Sequence, residues 1–139
     1  MLKEFAEFLE DETSLTVGTD LFAGFTPQSA PERTAIATIK DTGGPARMPS
    51  RRTAPEIDAF EKHFQIFVRA GDYHAARDLA SQIHDAVHGI AGEDLPVVTS
   101  GVQWHIDSAE AVTTPQDLGQ DEKLRHNFST NFILHAQIL

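Results

Sequence analysis

The chain has 139 residues, 40% of them hydrophobic, enough for one domain around a single core. It contains no cysteine, which excludes disulfides, thiolate metal sites and a cysteine nucleophile. A net charge of −10 argues against nucleic-acid binding over the general surface, and no apolar run approaches the ~18 residues of a membrane span.

Leu2, Phe5, Ala6, Phe8 and Leu9 recur at helical spacing, so residues 2–12 are expected to form a short amphipathic helix. Glu4, Glu7, Glu10, Asp11 and Glu12 surround that stripe, the reverse of a basic signal or transit peptide, so a soluble chain made in the cytoplasm is expected. Leu15 to Val17 begins a strand. The stretch 18–32 reads as irregular, although it carries Leu21, Phe22 and Phe25. Thr34 to Lys40, rich in Thr and Ile, reads as a strand that Gly43-Gly44-Pro45 ends. Gly43 to Pro55 combines two glycines, three prolines and three arginines without an apolar period, so a long flexible loop is expected at about 41–56.

Phe60 to Val68 alternates, with Phe60, Phe64, Ile66 and Val68 on a core face that also holds Lys62. His63, Gln65, Phe67 and Arg69 fall on the other face. Tyr73, Ala76, Ala80, Ile83, Val87 and Ile90 then form a buried stripe at three- and four-residue steps, predicting a helix over 72–90. Asp72 is its natural N-cap, and Gly89 or Gly92 its terminator. Leu95–Thr99 and Val102–Ile106 read as short strands joined at Ser100-Gly101. Pro115 to Gln120 reads as a loop.

From Arg125 to Ile138 two faces alternate. Phe128, Thr130, Phe132, Leu134, Ala136 and Ile138 lie on one, and Asn127, Ser129, Asn131, His135 and Gln137 on the other, with Ile133 the large apolar exception. A period of two is that of a half-buried antiparallel strand. Eleven such residues reach about 36 Å, twice the usual strand, which suits a protein built to pair or stack with other chains. The fold class is α+β: an antiparallel or mixed sheet, the main helix packed on one face, and a short N-terminal helix, in one domain spanning 1–139.

Chemistry is sparse. His84 and His88 stand four apart on the predicted helix with Asp85 between them, a spacing that can share a metal ion. The acid is shorter than the glutamate such sites use, and no third ligand follows. Both histidines instead fit the polar flank of a helix whose core stripe is Ile83 and Val87. His84-Asp85 with His63 or His74 as a further ligand would resemble a metal-dependent phosphohydrolase, but His63 falls on a strand. Gly43-Gly44 has no following Lys-Ser or Lys-Thr to make a phosphate cradle, and no Gly-x-Ser-x-Gly elbow occurs. No catalytic residue, metal site or cofactor is therefore assigned.

Charge is unevenly placed. Residues 107–122 carry Asp107, Glu110, Asp117, Asp121 and Glu122 without a Lys or Arg, whereas 41–55 carry Arg47, Arg51 and Arg52 against Asp41 alone. Two such stretches can meet across a subunit boundary, where complementary potentials set register; both also fit ordinary solvated loops. A guanidinium on a loop can grip a phosphate or a neighbour's carboxylate. Trp104, the sole tryptophan, is either core or an interface anchor.

Phe64-Gln65-Ile66-Phe67-Val68-Arg69-Ala70-Gly71-Asp72-Tyr73, followed by Ala76 and Ala80 to Ile83, resembles the strand-into-helix core of phage minor capsid proteins that act as tail terminators. Pro115-Gln116-Asp117-Leu118-Gly119-Gln120-Asp121-Glu122, followed by Arg125 to Phe132, is similar to that family's closing element. The resemblance covers about residues 60–137, with weaker agreement at Leu21-Phe22 to Phe25 and at Gly43-Gly44.

The resemblance implies a structural protein of the virion tail or neck, made in the host cytoplasm. Tail terminators form a hexameric ring on the finished tube of a long-tailed phage, halt its polymerisation and offer a surface to the head connector. The implied partners are further copies of the chain, the tail tube protein and the head–tail connector proteins, with DNA passing through the lumen unbound. The expected interface residues are Arg47, Arg51, Arg52, Asp117, Asp121, Glu122, Asn127 and Asn131. The alternatives are a head-completion or connector adaptor, a tube subunit, and a small metal-dependent hydrolase using His84 and His88.

Overall fold

The computed structural model describes residues 1–45 and 58–139. Most of the expected loop at 41–56, with Arg47, Arg51 and Arg52, lies outside the described residues. In chain order the elements are α1 (Leu2–Glu12), β1 (Leu21–Ala23), β2 (Ile36–Gly43), β3 (Asp58–Ala70), α2 (Tyr73–Val87), β4 (Ala91–Asp94), β5 (Trp104–Ala111), β6 (Gln116–Gln120) and β7 (His126–Ile138).

The strands form one sheet in the order β1-β2-β3-β7-β5-β4, with β6 also on β7. β1 runs parallel to β2 and every other pairing is antiparallel, so the sheet is mixed. β7 is its axis. One edge pairs with β3 without a break from His126↔Ala70 to Ile138↔Asp58. The other edge is shared, with β5 along Phe132–Ile138 and β6 along His126–Ser129. Between those two partners the Val112 N–H donates to the Asn131 carbonyl at 2.8 Å. The length of the final strand is thus used inside its own sheet, and neither edge is left to pair with another chain. Stacking through its polar face remains open to it.

Alternation puts Phe64, Ile66 and Val68 of β3 on the same side as Phe128, Phe132, Leu134 and Ala136 of β7, all buried. Both helices cover this face. α2 lays Ala76, Leu79, Ala80, Ile83 and Val87 on it, the alanines permitting close approach. Its N-cap is as expected, since Asp72 Oδ2 accepts the Ala75 N–H at 3.0 Å. The helix stops at Val87, earlier than predicted, and Gly89 turns the chain at φ +91° into β4. α1 adds Phe5, Phe8 and Leu9, with Phe5 against Phe64 at a ring separation of 5.2 Å. Trp104 is core, 5.2 Å from the Phe60 ring. This is the α+β architecture expected.

Four local expectations are corrected. Leu15–Val17 contributes only a single bridge, Val17 to Leu21, and the strand is Leu21–Ala23 within the stretch read as irregular. The hairpin is made by Ala91–Asp94 and Trp104–Ala111 rather than by 95–99 and 102–106, although the Leu95 N–H still reaches the Trp104 carbonyl at 2.9 Å. Gln116–Gln120 is a strand, not a loop. All of its residues are exposed, so the ladder to β7 defines it and no apolar pattern announces it. Ser129, placed on the polar face, is buried between its register partners Phe67 and Gln116.

Candidate assembly interface

The side of the sheet turned away from the helices carries Thr38 and Lys40 of β2, then Glu61, His63, Gln65, Phe67 and Arg69 of β3. β7 adds Asn127, Asn131, Ile133, His135 and Gln137, and β5 adds His105, Ser108 and Glu110. Residues 24–35 fold over one corner of this outer face, where Phe22, Ala30 and Ile36 form a small apolar cluster and the Thr26 and Thr38 hydroxyls meet at 2.6 Å.

Towards β4 the face is acidic and carries histidines. A bulge at Asp107 lets Ile106 and Ala109 both point inward while the Asp107 carboxylate accepts Gln137 Nε2 at 2.8 Å. His105 lies between Asp94, 2.5 Å away, and Asp107, 3.7 Å away. Glu61 stands 3.0 Å from His63 and 3.9 Å from His135.

The opposite corner is basic. Lys40 Nζ sits 5.2 Å above the Phe67 ring. Arg69 donates from Nη2 to the Pro31 carbonyl at 3.3 Å, while its buried Nε has no hydrogen-bond partner among the described residues. Burial, and then the neighbouring charge of Arg125, pull the Arg69 guanidinium below its ordinary value, with Asp121 and Glu32 opposing. Arg33 donates to the Lys123 carbonyl at 2.9 Å and lies so close to Gly71 that a Cβ there would stand 2.6 Å from its Nε. Lys123 pairs with Glu32 at 2.8 Å. Two adjoining recesses open here, of about 200 and 370 Å³, both lined by Thr26 and Arg69.

Of the expected interface residues, the structure gathers Asp117, Asp121, Glu122 and Asn127 at the turn joining β6 to β7. Asp117 spends its carboxylate on the Gly119 N–H at 2.7 Å. Asp121 holds the turn together, accepting the Lys123 N–H at 2.9 Å, the Arg125 N–H at 3.1 Å and Arg125 Nε at 2.8 Å. Burial alone would raise its pKa. The hydrogen bonds from Arg125, Lys123 and Asn127 outweigh that and lower it from 3.8 to about 2. Glu122 is exposed. Asn127 donates to the Arg125 carbonyl at 3.0 Å, and Asn131 is exposed in mid-face. The basic corner was missed in the sequence because Arg69 and Arg125 are brought together only by the β3–β7 register.

His84 on α2 and His88, just past its end, stack at 5.2 Å, and His88 Nδ1 accepts the Ala111 N–H at 2.9 Å, fixing the end of α2 against β5. Among the described residues no group of three or more His, Cys, Asp or Glu is placed to hold a metal ion. No curated protein matches the chain. A family profile described as "Bacteriophage tail terminator protein" matches residues 8–138, nearly the whole sequence and including both elements on which the resemblance stood. The chain belongs to the bacteriophage tail terminator family.

Proposed function

We propose that the chain forms a hexameric ring that caps the tail tube, stops its polymerisation and presents a docking surface to the head connector. Family membership places it in the virion tail as a structural protein, not an enzyme. The observation that supports ring formation is the outer face, where helices cover one side of the sheet and leave the other mostly to polar side chains. Lys40, Asn131 and His135 are exposed on that side. Such a surface has little apolar area of its own to bury, so it suits contacts chosen by charge and hydrogen bonding.

The polar row of β7 and the net charge of −10 also fit a wet lumen through which DNA passes without adhering. In this reading 1–139 is one domain, and the Arg47, Arg51 and Arg52 segment orders against the tube or a neighbouring subunit. Light scattering tests the ring: the expected mass is that of six chains, alone or once tail tubes are added. A mass that stays monomeric with tails present refutes it. Arg51→Glu with Arg52→Glu is expected to weaken incorporation into tails and leave the monomer folded, and equal incorporation would remove the segment from the interface. Localisation by cryo-electron microscopy separates a terminator, in one ring, from a tube subunit in many stacked copies.

A further inference from the structure

The eight lysines and arginines of the described residues are not spread evenly. Five of them, Arg33, Lys40, Arg69, Lys123 and Arg125, stand around the recesses beside Arg69, against only Glu32 and Asp121. The chain from Asp78 to Glu122 has no lysine or arginine at all. That stretch supplies the other end of the sheet, where Glu93 and Asp94 of β4 and Asp107 and Glu110 of β5 are all exposed.

The two ends cannot neutralise each other within one molecule. β4 lies four strand steps from β2, roughly 19 Å at about 4.8 Å per step, beyond a Debye length of ~8 Å at physiological salt. Lys40 and Lys123 are exposed at the mouths of the recesses that Arg69 lines, so an incoming carboxylate would meet several cations at once, with charge-assisted hydrogen bonds to offset its desolvation. We propose that the recess around Arg69 receives a carboxylate from the β4–β5 edge of a second copy of this chain, so that copies join head to tail. The inference rests on the ring reading and specifies its contact. Two different patches on opposite ends of one sheet make a heterologous interface, the kind that closes into a ring when the rotation permits.

The test uses two one-sided variants of the full chain, read by light scattering, with tail tubes present if the wild type needs them. Arg69→Glu blocks the recess, and Glu93→Lys with Asp94→Lys blocks the edge. If Arg69→Glu loses its thermal transition, Lys40→Glu with Lys123→Glu, both exposed positions, replaces it. Each variant alone is expected to remain monomeric. Mixed in equal amounts they are expected to give a species of twice the 15.3 kDa chain mass and nothing larger, since each retains one working surface. Variants that assemble like the wild type, or that stay monomeric when mixed, overturn this contact while leaving the ring reading standing. A wild type that never exceeds one chain, even with tails, overturns both.

Discussion

On β7, Phe128, Phe132, Leu134 and Ala136 are buried against the helix-covered core, whereas Asn131 and His135, set between them in sequence, are exposed. Backbone hydrogen bonding is the same for both sets, because β3 pairs along the whole strand. Along this strand, removal of apolar area from water therefore falls chiefly on one face. The other face is free to vary its chemistry at small cost to the fold. The charge segregation from Lys40 and Arg69 to Asp94 and Glu110 stands on that freer side.

Cutting the chain after Asn127 breaks this comparison most severely. It removes the axis of the sheet, and the fragment is expected to show no cooperative thermal unfolding by circular dichroism. Phe132→Ala comes next. The side chain is 0% exposed, and truncation of a buried phenylalanine costs roughly 3–5 kcal/mol. A denaturant midpoint unchanged from wild type would contradict the assigned core face.

Acid tests the turn where the two faces meet. Asp121 is held near 2 in the fold against an ordinary 3.8, so its contribution is complete above about pH 4 and is lost as pH falls towards 2. Thermal melts across that window should show a shallower loss for Asp121→Asn than for the wild type; identical slopes would remove Asp121 from the linkage. The smallest effect is expected at Asn131→Ala, within about 0.5 kcal/mol of wild-type stability. A larger loss would mean that the outer face contributes to folding after all.

Much of the core was legible before the structure. The alternation at Phe60–Val68 and Arg125–Ile138 and the stripe from Ala76 to Val87 mark elements with one buried face, and burial imposes a period. β4 and β6 were not legible because every residue in them is exposed and only pairing to a neighbour makes them strands. The Asp107 bulge hid β5 by breaking its alternation between Ile106 and Ala109. Of the candidate interface, the acidic character of 107–122 was readable, but Asp121 turned out to be engaged by Arg125 in its own turn.

Sequence alone determined most of the apolar side chains that leave water on the long strands and α2, because the spacing of apolar residues is a local property of a helix or a strand. It also carried the family, through two motifs at the start of α2 and before β7. Tertiary structure decided that both edges of β7 are occupied, that Ser129 is buried, and that Arg33, Lys40, Arg69, Lys123 and Arg125 share one corner. Those outcomes depend on register between segments far apart in the chain, and no local pattern encodes which residue a distant strand will place opposite another.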